Sequence, residues 1–278
     1  MVDLHVHSNA SDGECSPDEV IHCAKAAGVR TVALTDHDTV GGVAPARESG
    51  ERLGVRVIGG CEFSVQVTWG ELHLLGYFLP PDDPDLQHFL EDQRTKRVLR
   101  AHAIVERLAR AGATIGVEDV MGEAAGGSVG RPHVARVLVK AGLVRDITGA
   151  FRKYLAARKP AFVPKELPSL EQVTTLVRDL SGVTSAAHLG PRGNRPTIEE
   201  LKRAGVDAIE VLHPSHNDTT AARLDALAVR FGMLATGGSD WHGDGITDHD
   251  RAPIGSLDVP EAWLAGIESL HQKRLHAQ

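Results

Sequence analysis

The chain has 278 residues, 42% of them hydrophobic and 24% charged. That composition supports a buried core and excludes disordered, collagen-like and coiled-coil chains. Acidic side chains number 37 and basic ones 30, a net charge of −7, which is a poor balance for a duplex DNA binder. The three cysteines, Cys15, Cys23 and Cys61, form no C-x-x-C pair and cannot all pair with one another. They predict a reducing, cytoplasmic setting. Met1–His5 has neither the basic segment nor the apolar run of a signal peptide, and no stretch of about 20 apolar residues predicts a membrane span. The chain also carries 15 histidines against six Phe and two Tyr. Histidine is a costly core filler and a common metal ligand.

In chain order, Val2-Asp3-Leu4-His5-Val6 reads as a short buried strand. Ser16-Pro17-Asp18-Glu19 opens a helix, with Ser16 as N-cap, Pro17 in the first position and Glu19 completing a capping box. Gly28 stops that helix. Thr31–Thr35 is a second strand, Ala44–Leu53 a helix, and Val55–Ile58 a third strand. Glu71–Leu75 is strand-like. From about Leu86 to Leu155 there is little strand signal. Arg94–Arg110 is a long amphipathic helix, Pro132–Ala141 a second helix, and Ala150–Ala157 a third. Ala161-Phe162-Val163-Pro164 reads as a strand-like return. Then the alternation resumes: strand Gly182–Ala187, helix Thr197–Ala204 capped by Thr197, strand Ala208–Val211, helix Thr219–Phe231 and strand Met233–Thr236. Repeated βα units predict a largely parallel sheet with right-handed crossovers, closed into a barrel. The expected division is a discontinuous barrel (1–85 plus 160–278) with a helical insertion (86–159) as a substrate lid.

The chemistry-bearing residues recur at predicted strand ends. His5 and His7 lie two apart, on one side of a strand. Asp12 follows in a turn-rich loop. Asp36, His37 and Asp38 follow the second strand, with Asp38 or Thr39 expected to cap the next helix. Glu62 comes four residues past the third strand. His73 sits in the strand-like Glu71–Leu75. His188 follows Ser185-Ala186-Ala187, and Asp240 and His242 follow the last strand. Each residue alone has an ordinary explanation as a satisfied core histidine, a cap or a loop charge. Their convergence on one barrel mouth predicts a metal site with nitrogen and oxygen ligands.

Four strings carry a resemblance: Asp3-Leu4-His5-Val6-His7-Ser8, Leu34-Thr35-Asp36-His37-Asp38-Thr39, Ala187-His188 and Gly238-Ser239-Asp240-Trp241-His242. They resemble, in order, the motifs of the PHP (polymerase and histidinol phosphatase) family of metal-dependent phosphoesterases. The resemblance covers about residues 1–85 and 160–250. It implies an α/β fold, a distorted (βα)7 TIM-like barrel, and three divalent metal ions (Mn, with Fe or Zn compatible). It places one ion on His5, His7, Glu62 and Asp240. A second shares Glu62 and adds His73 and His188, and a third takes Asp12, His37 and His242. The chemistry expected there is in-line attack of a metal-bridged hydroxide on phosphorus.

His216, in Leu212-His213-Pro214-Ser215-His216, is the candidate leaving-group helper, with Ser215 beside it as a substrate contact. The alternative is that His213 or His216 is only a surface loop histidine. Gly126–His133 is a Gly-rich turn opening a helix, suited to phosphate. Ser128, Arg131, His133 and Lys165 are the candidate substrate contacts, Arg131 through a bidentate grip. The Gly-Arg-Pro-His turn and the Ala-Phe-Val-Pro-Lys return resemble one PHP subgroup. Its members hydrolyse 3′,5′-bisphosphonucleotides to nucleoside 5′-monophosphates and trim the 5′ ends of short RNAs. Alternatives are a phosphatase or cyclic phosphodiesterase for a sugar or amino-alcohol phosphate such as histidinol phosphate, a non-catalytic metal-stabilised binding module, and a C–N-cleaving amidohydrolase. The expected partner is a small phosphorylated nucleotide or a short RNA 5′ end, with neither duplex DNA nor membrane. The sequence leaves the oligomeric state open.

Overall fold

The structure, a computed structural model, describes residues 1–244 and 252–277. Its strands are β1 (Val2–Val6), β2 (Thr31–Leu34), β3 (Arg56–Val67), β4 (Gly70–Tyr77), β5 (Val183–Ala186), β6 (Ala208–Leu212) and β7 (Leu234–Gly237). They neighbour one another in that order. The helices are α1 (Pro17–Ala26), α2 (Val43–Leu53), α3 (Pro84–Arg110), α4 (Val117–Ala124), α5 (Arg131–Lys140), α6 (Ile147–Ala150), α7 (Leu170–Asp179), α8 (Arg195–Arg203), α9 (Asp218–Phe231) and α10 (Glu261–Leu275). No helix among the described residues is long and apolar enough to cross a membrane.

The sheet is a nearly closed seven-stranded barrel. β1, β2 and β3 run parallel, as do β5, β6 and β7. The exception is β4, antiparallel to both its neighbours. One βα unit is replaced by a hairpin turning at Thr68-Trp69. β3 runs on through Gly59-Gly60 to Val67, so Glu62 lies within the strand rather than after it. Glycine weakens a strand interior, which is why the sequence reads as stopping at Ile58.

Closure falls to the segment after β7. The His7 N–H donates to Trp241 O and the Asp240 N–H to His5 O, both at 2.9 Å. The buried Asp3 carboxylate accepts the Ser239 and Gly255 N–H groups, each at 2.9 Å. A Cβ on Gly238 would stand 2.4 Å from the His5 backbone nitrogen. Glycine there lets the closing segment meet β1.

Local chemistry sets the element ends. The Ser16–Glu19 capping box forms on α1 as the sequence indicates. α8 is capped by Asn194, not Thr197; the Asn194 side chain accepts the Thr197 N–H at 3.2 Å. Neither Asp38 nor Thr39 caps α2, which begins after Gly42 without a side-chain cap. The expected helix Ala150–Ala157 is the short α6, capped by Asp146 and followed by a π turn at Phe151–Leu155. Ala161–Pro164 forms no strand.

α3 begins at Pro84, ten residues before the expected Arg94, because Asp83 caps it and Pro84 occupies its first turn. Its early residues Leu86 and Leu90 pack into the barrel core. Its later residues Ala101, Ile104 and Leu108 pack with Val120, Val134, Leu138 and Leu155 in a separate apolar cluster. One continuous helix thus carries the chain from the barrel into the helical segment. That segment rests on the first mouth loop. The Ser128 N–H donates to Ala10 O at 2.9 Å, and a Cβ on Gly127 would stand 2.5 Å from the same oxygen.

Candidate metal centre

Period-2 geometry aims His5 of β1 and His7, the residue just past it, into the barrel mouth, and both are fully buried. Glu62 on β3, also buried, is the hub they meet. Its Oε2 lies 3.2 Å from His5 Nε2, 3.1 Å from His7 Nε2 and 3.2 Å from His37 Nδ1. Its Oε1 lies 2.8 Å from His73 Nδ1 and 3.0 Å from His188 Nε2. Asp240 Oδ1 closes the group at 3.3 Å from His5 Nε2 and 3.2 Å from His7 Nε2. On the other flank, His242 Nε2 is 3.2 Å from Asp12 Oδ1, and His37 Nε2 is 3.9 Å from it. All nine sequence-predicted ligand candidates therefore converge on one mouth.

The loops carrying them are held by buried polar groups. Asp36 is no ligand. Its carboxylate accepts the Ser8 N–H (2.8 Å), the Ser8 hydroxyl (2.7 Å) and the Ser11 hydroxyl (2.6 Å), which sets the turn that presents Asp12. Asp38 accepts the Ser64 N–H at 3.1 Å and the Arg97 Nε–H at 2.8 Å. Asp38, His188 and Asp240 all have positive φ, so part of the backbone strain sits at the mouth.

The residues fit a divalent metal. Two subsets, His5-His7-Glu62-Asp240 and His7-Asp12-His37-His242, each bring their donor atoms within 4.8 Å of one another. A third is His37-Glu62-His73, and a fourth is His5-Glu210-His213. The buried His7 Nδ1 has no hydrogen-bond partner, and His37 Nδ1 and His242 Nε2, though 3.2 Å from carboxylate oxygens, are not aligned to hydrogen-bond them. His5 Nε2 and His7 Nε2 stand only 3.1 Å apart, an arrangement that a shared proton or a cation relieves. Imidazole plus carboxylate is the donor set of Mn, Fe or Zn.

The electrostatics agree. Burial opposes charge on His7 and His73, yet the carboxylates around them push each up to about 9. Burial likewise works against Glu62, Asp12 and Asp240, and the surrounding histidines hold all three well below the usual carboxylate range. His37 and His242 go the other way, lowered by burial. The cluster is a set of buried negative charges compensated by protons, the place a metal cation takes.

Two residues here escape the sequence reading. Glu210, on β6 and fully buried, accepts from His5 Nδ1–H at 2.8 Å and from the His188 N–H at 2.7 Å. It fixes the His5 tautomer so that Nε2 faces Glu62, and it anchors the loop of His188. A carboxylate in the apolar run Ala208–Val211 was the available signal. His213 is the other, buried beside Asp240 rather than on the surface. His216 is a strut. Its Nδ1–H donates to Val211 O at 2.9 Å, and its Nε2 accepts the Gly190 N–H at 3.0 Å. Both ring nitrogens are spent on backbone, so neither serves a leaving group. Ser215 is exposed, and its hydroxyl meets His213 Nδ1 at 2.7 Å.

Beside the cluster lies a cavity of about 220 Å³, lined by Asp12, His37 and His73 on one side and by Ser128, Arg100 and Arg131 on the other. Four cations surround it, and two are neutralised: Arg97 by Asp38, and Lys165 by Glu71. Arg100 and Arg131 form no ion pair among the described residues. Arg100 Nε donates to Val163 O at 2.9 Å. Arg131 reaches Leu155 O at 3.4 Å and lies over the Phe151 ring, 5.5 Å from its centroid. Burial, with Arg131 and Arg97 nearby, pulls Arg100 down to about 10. Both are half-buried cations without an ion pair, which makes the cavity a candidate anion site. The buried Ser128 hydroxyl also lacks a partner. His133 does not face the cavity; its Nδ1 accepts the Gly130 N–H at 3.0 Å and caps α5. Arg100 was missed because it reads as the solvated face of an amphipathic helix.

A barrel with histidine and carboxylate donors gathered at its mouth, beside a cationic cavity, defines a metal-dependent hydrolase of anionic substrates. The comparisons with known proteins specify the bond. The PHP domain family matches residues 3–213. The chain is 34% identical to the Escherichia coli protein named 5′-3′ exoribonuclease Rnm, over 98% of this chain and 93% of that one. It is 36% identical to the Chromobacterium violaceum protein named 3′,5′-nucleoside bisphosphate phosphatase, over 90% of each. A solved structure from Bifidobacterium adolescentis, described as a metal-dependent phosphoesterase, superposes with a TM-score of 0.88 at 30% identity. It covers 97% of this chain and 96% of its own. The chain belongs to the PHP family and is a hydrolase of phosphoric esters.

Proposed function

We propose that the protein removes the 3′ phosphate of 3′,5′-bisphosphonucleotides, leaving nucleoside 5′-monophosphates, and trims the 5′ ends of short RNAs. The two substrates share one fragment. A bisphosphonucleotide and the first nucleotide of a 5′-phosphorylated RNA both carry a phosphate on each side of a nucleoside. The carrying observation is the pair of unpaired guanidiniums, Arg100 and Arg131, sharing a cavity with Asp12, His37 and His73. One phosphate is held in the cavity while the other meets the metal cluster. Two phosphorylated sites on one substrate explain two cationic sites better than a single phosphomonoester does. The names of the Escherichia coli and Chromobacterium violaceum relatives support the same reading.

Three ions are our assignment, manganese first, on the residue sets His5-His7-Glu62-Asp240, Glu62-His73-His188 and Asp12-His37-His242. When bound, such ions supply electrophilic charge and an ionised water. The chain's own residues do the rest. Glu62 orders five histidines, Glu210 orients His5, and Arg100 with Arg131 fixes the second phosphate. The helical segment 86–159 acts as a lid over the mouth, tied down at Ala10 by Ser128. Cys15, Cys23 and Cys61 are free thiols, in keeping with work in the cytoplasm.

The test is phosphate release by the manganese-loaded protein from 3′,5′-bisphosphoadenosine, with 5′-AMP and histidinol phosphate alongside. Turnover of the bisphosphate with 5′-AMP inert is expected. Turnover of histidinol phosphate alone overturns the nucleotide reading.

A further inference from the structure

We infer that His213 is a hydrogen-bond donor to the phosphoryl group undergoing hydrolysis, and not a tenth metal ligand. The inference rests on phosphoester hydrolysis at this centre and is independent of which phosphate ester is cleaved.

The tautomer carries the argument. The Ser215 backbone N–H donates to His213 Nδ1 at 3.1 Å, and the Ser215 hydroxyl lies 2.7 Å from the same nitrogen. A backbone N–H has no lone pair to offer, so Nδ1 must be the acceptor. The proton of the neutral ring therefore sits on Nε2. A protonated nitrogen cannot ligate a metal. The His242 ring has the reverse arrangement: its Nδ1–H donates to Asp240 O at 2.7 Å, which leaves Nε2 bare toward Asp12. His5 follows the same pattern through Glu210. Backbone and carboxylate partners thus set His5 and His242 as bare-nitrogen ligands and His213 as a donor.

Position and burial complete the case. The His213 side chain is 1% exposed, and its Nε2 has no hydrogen-bond partner. The carboxylate oxygen within ion-pair distance is Asp240 Oδ2, at 3.5 Å, too long for a good N–H···O bond. An unsatisfied buried donor is costly, and at an enzyme mouth its natural partner is substrate. The ring lies 5.3 Å from that of His188 and 6.1 Å from that of His5. It therefore faces the cluster from the His5–His188 flank, whereas Arg100 and Arg131 approach by way of Asp12 and His37. A phosphate ester reacting at the cluster would meet this N–H on that flank. Such a donor stabilises charge on phosphoryl oxygen without changing its own protonation.

His213→Ala, His213→Gln and His213→Asn separate the roles. The protein is loaded with Mn²⁺, and three quantities are read: bound manganese by elemental analysis, inorganic phosphate affinity by calorimetry, and kcat on p-nitrophenyl phosphate. A donor predicts unchanged manganese in His213→Ala, phosphate binding weakened about 10-fold, and kcat reduced on the order of 10²-fold. His213→Gln, whose amide nitrogen reaches the Nε2 position, recovers part of both losses. His213→Asn, whose amide sits nearer Nδ1, does not. Loss of manganese from His213→Gln and His213→Ala alike would overturn the proposal in favour of a ligand. Full metal with unchanged kcat and phosphate affinity would overturn it in favour of a packing role. If His213→Ala does not fold, the contrast between the Gln and Asn variants decides the question.

Discussion

The two halves of the site are built on opposite electrostatic plans. At the barrel mouth, Glu62, Asp12 and Asp240 are surrounded by histidines, and their charges are compensated within hydrogen-bond distance. In the neighbouring cavity, two guanidiniums stand without counter-charge. The first arrangement recruits a cation and the second recruits an anion. A strand-built ring fixes donors tightly enough for metal geometry. A helix and a Gly-rich turn supply longer, more adaptable arms for phosphate. The larger hollow of about 550 Å³ at the other end of the barrel shows the contrast: its Arg30 is paired with Glu261, and its lining carries no such imbalance.

The contrast predicts losses of different kind and size. Glu62→Ala removes the hub of five histidines. It is expected to abolish bound metal and to lower kcat on every phosphate ester by more than about 10³-fold. Retention of both metal and turnover would break the metal half of the account. Arg131→Ala leaves the ring intact. It is expected to lower kcat/KM on 3′,5′-bisphosphoadenosine on the order of 10²-fold, with little change on p-nitrophenyl phosphate. Equal losses on both substrates would remove the distinction between the two halves. Glu210→Gln retains a side chain beside His5 but loses its charge. It is expected to weaken manganese affinity by about 10–100-fold, as loss of such an outer carboxylate does. Titration with Mn²⁺ checks this.

The smallest effect is the pH dependence of metal-free stability. His5, His7 and His73 bind their protons more tightly in the fold. Their contribution is complete below about pH 6.5 and is lost as pH rises toward 9. His37 and His242 are held neutral in the fold, so their contribution is complete above about pH 6.5 and is lost as pH falls. The melting temperature of the metal-free protein should therefore peak near pH 6.5 and fall on both sides. Manganese takes the place of the protons and should flatten the alkaline limb. Calorimetry with and without Mn²⁺ tests the sign; a metal-free profile rising steadily to pH 9 would contradict it.

The difference between the halves also explains what the sequence disclosed. His5, His7, His37, His188, Asp240 and His242 were legible because they sit on or just after short apolar strands, where period 2 and strand ends constrain direction. Glu62 was found but placed on the wrong side of a strand end, since Gly59-Gly60 looks like a stop. Glu210 was missed because one inward carboxylate in an apolar run resembles an interruption. Arg100 was missed for a different reason. Helical periodicity separates apolar from polar faces, but it does not say which polar residues a neighbouring segment later covers. His213 and His216 were not separable, because their roles depend on which backbone N–H meets which ring nitrogen. The antiparallel β4 was hidden by the expectation that each strand is followed by a helix.

The central claim is that one phosphate is held while the other is cleaved. The most direct measurement is kcat/KM of the manganese-loaded protein on 3′,5′-bisphosphoadenosine against 3′-AMP. The same ester bond breaks in both, and only the 5′ phosphate differs. The account predicts a preference for the bisphosphate on the order of 10²-fold, about 3 kcal/mol, which Arg100→Ala and Arg131→Ala each diminish. Equal values for the two substrates would contradict it.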